Sequence, residues 1–483
     1  MILGRTKKTA VLLLFMGLPS WILYEYSGQS TAGLLVFIAF VVAGISHLFG
    51  WDKYLVMGLL ASVFFSVDTP VLGGNNLAIP AEPLAVLLAI SGVYALVFDT
   101  QWRSVLEGLF PIKILLVLVG VFLVTSVFSS MPKVSFKYTL VWVTYILSGL
   151  TLARVLYYKE VSIQVFLWIL GVSLTLIGAF SIYNLMPYQF NPGAAPIMAK
   201  PFFKDHTVLS ATFSLLGPLF LFWPKGSSKT QNHWFTVMGG FLILVIFISS
   251  SRAAWLSVLL CFPMYGILKL RVKPIFLVLF TLPFLALIWI SQREISNAFL
   301  VNPYQSSHAD SSIEDQALSV TNVNSDPSNL ERINRWKCAL RMFESKPIMG
   351  FGPGTYQFQY FPFQREEDMT YISVTSPFLN KQGRGGSAHS EYLLLLSETG
   401  VFSFLLWISL WLWIFIETFR EVTRSGFTNS NQRLVAVFLG LFTYGIHSAL
   451  NNYLNVAVFG IPFWILIFVF IYHHSLQSHG KTQ

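Results

Sequence analysis

Runs of apolar residues long enough to cross a bilayer, roughly 17 to 25 residues each, recur from residue 9 to residue 290 and again from residue 391 to residue 473. Short polar turns separate them. The pattern predicts membrane helices, about eleven before a long polar stretch and about three after it. The run near Tyr54 to Val67 is short and polar-tipped, so about 12 to 14 spans are expected. Composition points the same way: of 483 residues, 54% are hydrophobic and only 11% charged, where a soluble chain has roughly a quarter charged. The expected fold class is an all-α polytopic membrane protein.

The formal charge of +9 could suggest nucleic acid, but basic residues in a membrane protein first report topology. With the N-terminus inside, the inner loops collect Lys53, Arg103, Arg154, Lys159, Lys269 and Arg420, among others. The short outer loops hold Lys133, Lys137, Lys200, Lys204 and Arg252. This asymmetry predicts three parts: an N-terminal transmembrane bundle at 1–290, a periplasmic loop at 291–388, and a C-terminal transmembrane segment at 389–483 with its terminus cytoplasmic. Arg5, Lys7 and Lys8 before Ala10 to Phe15 resemble a signal peptide, but no A-x-A site precedes a soluble domain, so the segment reads as an uncleaved first span.

The outer segment is too small and too interrupted, by Asn302-Pro303 and Asp326-Pro327 among others, to bury a core alone. Within it Ile333, Trp336, Leu340 and Phe343 recur at helical spacing, while Arg332, Arg335, Lys337 and Arg341 fall mostly on other faces. This predicts a basic amphipathic helix on the outer surface or capping a cavity. Gly350 to Gly354 looks like a phosphate-binding glycine loop, but no strand precedes it and no Lys-Ser/Thr follows, so a tight turn is expected. Cys261 and Cys338 can form neither a multi-bridge framework nor a four-ligand zinc site.

Polar residues at a membrane boundary are costly and mark the place to look for chemistry. His389 stands where the polar loop ends, with Glu391 and Glu398 seven residues apart on one face of the following helix. An imidazole with an ordinary pKa near 6.5 can accept a proton at neutral pH. Arg252 lies in a very short outer connection, Ser249 to Trp255, and Lys204, Asp205 and His206 precede the span that starts at Thr207. Asp205 fits a helix cap. By topology counting, His389, Arg252 and the Lys204 turn all reach the same face.

Together these residues resemble the superfamily of O-antigen ligases and polymerases, bacterial membrane glycosyltransferases. The likeness rests on Ser251-Arg252-Ala253-Ala254-Trp255, on Trp336 to Phe343 leading into Gly350 to Gly354, and on His389-Ser390-Glu391-Tyr392-Leu393 through Glu398-Thr399-Gly400. It covers roughly residues 200 to 410. Ser390 stands where the family usually has Asn.

The resemblance implies transfer of a glycan from an undecaprenyl-diphosphate carrier to an acceptor hydroxyl, on lipid A core or another glycan, at the periplasmic face of the inner membrane. It implies no cofactor, no metal and no nucleic acid; the partners are the lipid-linked donor, the glycan or lipid acceptor and membrane lipid. On this reading His389 is the base, oriented by Glu398 or Glu391, and Arg252 stabilises the diphosphate with Lys204 and Arg384 as helpers. His206, Glu391 and Tyr392 complete the expected substrate contacts. Direct displacement inverts the anomeric centre. A polymerase joining lipid-linked repeat units is the nearest rival, and a lipid-linked oligosaccharide flippase is the rival from another class. Transporters commonly carry internal repeats and midplane charges, whereas the informative charges here gather at one surface.

Overall fold

The computed structural model describes residues 30–71, 75–224, 228–276, 327–369 and 386–479. The expected first span up to residue 29, the span expected near residues 277 to 290, and Arg384 lie outside the described residues. The apolar runs form helices: α1 (Ser30–Phe49), α2 (Asp52–Ser62), α3 (Ala81–Phe98), α4 (Thr100–Glu107), α5 (Phe110–Val127), α6 (Pro132–Tyr157) and α7 (Ile163–Leu185). They continue with α8 (His206–Phe222), α9 (Lys229–Ile248), α10 (Arg252–Lys269), α11 (Pro327–Ser345), α12 (Glu391–Ser425), α13 (Asn429–His447) and α14 (Ala457–His479). Local chemistry sets their starts. Ser162, Asp205, Ser228, Thr428 and Ser390 each offer a side-chain oxygen to an orphan N–H of the first turn, and Pro begins α6.

Among the described residues, seven helices are long and apolar enough to cross a membrane, or eight if the pair at Ile38–Phe49 and Asp52–Phe65 is one span. The chain is a multi-pass, mainly helical membrane protein. That pair is bent by 117°, which accounts for the short polar-tipped run in the sequence. The all-helical expectation misses one feature, an antiparallel hairpin of β1 (Val67–Val71) and β2 (Asn75–Ile79) that follows the bend.

Helices from both sides of the polar loop share one core. α14 is buried along almost its whole apolar length and packs on α6 and α13, while α8, also buried, lies between α9 and α13. Such sequestered helices need not be uniformly apolar. Thr443 Oγ1 on α13, for example, donates to the Ser214 carbonyl of α8 at 2.9 Å, as polar residues do between membrane helices.

The two ends of the bundle differ. Arg154, near the end of α6, reaches Asp99 at 3.1 Å, Asp52 at 3.5 Å and Glu160 at 3.8 Å, gathering the turns that carry Lys53, Arg103 and Lys159. The start of α6 lies about 33 Å away at ~1.5 Å per residue. There Ser130 N donates to the Phe351 carbonyl at 3.1 Å, so the glycine turn and α11 belong to this opposite end.

α11 does not present the face its apolar spacing suggests. Glu331, Asn334, Arg335, Cys338, Ala339 and Met342 are its buried positions, whereas Leu340 is 42% exposed. The reason is that Arg335 and Glu331 satisfy each other at 2.7 Å, so a charged pair can go inward. Cys338, Ala339 and Met342 then form a small core with Phe351, Tyr356, Tyr360 and Leu394.

Candidate functional site

The site is built where α11, the start of α12 and the end of α13 meet. Ser390 caps α12, accepting from Leu393 N at 3.4 Å. His389 immediately before it has φ of 49°, a left-handed conformation uncommon outside glycine that often accompanies functional positions. The tight entry is held by Trp336 Nε1, which donates to the His389 carbonyl at 3.2 Å.

The imidazole of His389 faces α11 and the turn after α13. Burial pushes its pKa down first, then the charges of Arg332 and Arg335, against the opposing pull of Glu331 and of a hydrogen bond to the Asn451 side chain, to about 4. At neutral pH the ring is therefore uncharged and can accept a proton. Arg335 is committed to Glu331 and lies over the Tyr360 ring, 4.0 Å from its centroid. Arg332, partly exposed, is the cation with the largest effect on His389.

The two glutamates expected beside the base are anchors in this structure. Glu391 is 1% exposed, and its Oε1 accepts from Tyr444 Oη at 2.9 Å, Tyr453 N at 2.8 Å and Leu454 N at 2.9 Å. It pins the 448–456 turn against α12. Glu398 accepts from Gly354 N at 2.7 Å and Tyr356 N at 2.8 Å, and its carbonyl accepts from Gly352 N at 2.7 Å. The glycine turn is thus a nest of backbone N–H groups filled by the chain's own Glu398 carboxyl group.

The close approach explains two glycines. Gly350 has φ of 62° and a Cβ there would lie 2.3 Å from the Glu398 carbonyl; Gly400 has φ of 76° and its Cβ would lie 2.1 Å from the Ile348 carbonyl. No side chain fits at either position.

The remaining expected residues reach the same end. Asp205 caps α8, accepting from Thr207 N at 2.8 Å and Val208 N at 3.0 Å, and Tyr453 Oη donates to Thr207 Oγ1 at 2.7 Å. The Lys204–His206 turn is thereby tied to the turn that Glu391 pins; Lys204 is exposed and His206 partly buried. Tyr392 donates to the Gly445 carbonyl at 2.8 Å, which places its hydroxyl on α13. α9 returns from α8, so Arg252 at the start of α10 lies at the end of the bundle that carries His389. α10 packs on α13. The turn before it is sharp, with Ser250 at φ 56° and Trp255 Nε1 on the Ile246 carbonyl at 2.9 Å.

Arg332, Asn451 and His447 were not singled out by the sequence. For Arg332 a signal existed: three residues from Arg335, it shares a helix face with it. Asn451 and His447 sit in a run that reads as a polar end of a span, and the fold pairs them at 3.1 Å. Among the described residues no group of three His, Cys, Asp or Glu side chains is placed to hold a metal ion.

Residues 237–408 match the family model described as O-antigen ligase. The matched segment contains Arg252, Arg332, the glycine turn, His389 and Glu398. No curated protein matches the chain.

Proposed function

We propose that the chain, whose residues 237–408 match the O-antigen ligase family model, is a member of that superfamily and transfers a glycan from an undecaprenyl-diphosphate carrier to an acceptor hydroxyl, at the periplasmic face of the inner membrane. The observation that carries this reading is a neutral imidazole set against a guanidinium at one end of the bundle: His389 at about 4, beside Arg332. A displacement on a glycosyl diphosphate needs both, a base for the incoming hydroxyl and fixed positive charge for the departing anion.

In the proposed step the acceptor oxygen attacks the anomeric carbon while His389 takes its proton. The bond from that carbon to the diphosphate oxygen breaks, its electron pair leaves with the diphosphate, and Arg332 and Arg252 hold the developing charge. His389 then releases its proton to water. One displacement inverts the anomeric centre. Glu391 and Glu398 take no part in the chemistry, and Lys204, His206 and Arg384 are assigned to the path of the glycan or the carrier. The reaction needs no metal ion on this reading, because the guanidinium groups supply the charge.

The experiment is transfer by the purified protein from a defined glycan-diphosphate lipid, with and without EDTA. His389→Ala should abolish product, and EDTA should leave wild-type turnover unchanged. Full activity in His389→Ala removes the base; loss in EDTA removes the metal-free scheme. Glycan analysis of a deletion strain separates the two acceptor classes: accumulated long lipid-linked polymer indicates a ligase, accumulated single repeat units a polymerase.

A further inference from the structure

At the end of the bundle opposite His389, the end of α8, the start of α13 and the end of α14 bring a cation and unpartnered polar atoms together. Trp223, which closes α8, is buried, and two polar side chains lie against its ring. The Arg433 guanidinium is 6.0 Å from the ring centroid, and the His473 ring is 6.3 Å from it at 62°. His473 is only 6% exposed, yet its Nε2 has no hydrogen-bond partner among the described residues; Arg433 Nε is likewise buried and unpartnered there. The acids at this end are engaged, Glu417 by Arg420 and Glu421 by a contact of its own, so among the described residues no carboxylate pairs with Arg433. Buried polar atoms of this kind ordinarily have a partner.

We propose that this end carries a site for a phosphate anion, filled by the phosphodiester of an anionic phospholipid in the leaflet opposite the reaction. Arg433 supplies charge and a planar set of donors, and His473, with its hydrogen on Nε2, donates to a phosphate oxygen. Further positive charge stands around the same helix end. Lys269 Nζ lies 6.0 Å from the Tyr265 ring, which stacks on Phe222 at 4.5 Å, and the Arg271 guanidinium lies against Gly426 in the turn before α13. Basic pockets between membrane helices on the cytoplasmic side are where acidic headgroups settle, and on the proposed orientation this is that side.

The turn that carries Arg433 is fixed by its neighbours. Gln432 Nε2 donates to the Phe222 carbonyl at 3.3 Å, and Asn431 Nδ2 donates to the carbonyls of Glu421 and Gly426 at 3.1 and 2.8 Å. The start of α13 is thereby tied to the ends of α8 and α12, which holds the guanidinium at Trp223 before any ligand arrives.

A lipid suits the surroundings better than a free phosphate does. Phe262 of α10 packs its ring 5.6 Å from Phe222 and is 47% exposed, and Leu259, three residues nearer the start of α10 and on the same face, is 67% exposed. An apolar wall for acyl chains therefore runs from the cationic end toward the middle of the bilayer. Inorganic phosphate would use only the polar part.

The test is lipid retention by the delipidated full-length protein in detergent, read by native mass spectrometry with dioleoyl phosphatidylglycerol, dioleoyl phosphatidylcholine or inorganic phosphate as the probe. Wild type should hold one phosphatidylglycerol in preference to phosphatidylcholine, and inorganic phosphate should not displace it. Arg433→Gln should raise the Kd for phosphatidylglycerol about fivefold. His473→Phe, which keeps a ring against Trp223, should raise it about threefold and serves if Arg433→Gln does not fold. Unchanged retention in the variants, or equal retention of phosphatidylcholine, overturns the proposal; displacement by inorganic phosphate overturns the lipid as its source. No arm uses turnover, so the result is independent of whether His389 is the base.

Discussion

Replacing Arg332 by Gln tests the electrostatic logic of the site directly. In the empty protein His389 lies at about 4 because burial, then Arg332, then Arg335 disfavour its charged form. Removing the largest of the charges leaves burial in place, so the pKa should rise but stop short of the ordinary 6.5. Loss of one nearby like charge from a buried group should raise its pKa by on the order of one unit, about 1.36 kcal/mol.

The sign follows from the role. The base works only when deprotonated, so raising its pKa moves the acidic limb of kcat/KM to higher pH, and activity between about 4 and 6 falls in the variant relative to its own plateau. Binding of the donor should act in the same direction, since a diphosphate beside Arg332 cancels its field on the ring. The limb of kcat, which reports the complex, should therefore lie above the limb of kcat/KM, which reports the free enzyme. A donor titration at fixed acceptor across pH measures both. If Arg332→Gln leaves the limb in place or lowers it, Arg332 does not act on the base and the assignment of the two groups to one centre fails.

Three further outcomes follow from the packing. Glu398→Gln keeps the shape but turns an NH2 toward one of two N–H donors, now Gly354 N and Tyr356 N; about 3 kcal/mol of stability should be lost, read as a lower unfolding temperature in detergent. The folded fraction should retain its specific activity, and a normally stable but inactive variant would return Glu398 to the chemistry. Gly400→Ala drives a Cβ to 2.1 Å from the Ile348 carbonyl and should abolish folded protein, measured as loss of a monodisperse peak on size exclusion. Arg252→Lys keeps charge but not the planar fork, so KM for the lipid-linked donor should rise about tenfold while the pH limb stays put.

What the sequence could and could not reveal has a physical reason at each residue. Membrane solvent forces the hydrophobic pattern, so the helical spans on both sides of the polar loop are visible as length and polarity alone. The bent α1–α2 pair and the hairpin of β1 and β2 break that pattern because their polar groups are satisfied within the protein rather than by lipid-facing sequence. His389 was legible for the same reason that the spans were: an imidazole at a boundary stands out against an apolar background. The glutamates stood out equally, but what each one holds is visible only in the fold. A carboxylate that clamps backbone N–H groups, as Glu391 and Glu398 do, has the same sequence signature as one that serves a reaction. The distinction lies in what fills its lone pairs, which depends on Tyr453, Leu454, Gly354 and Tyr356, residues between 42 and 63 positions away.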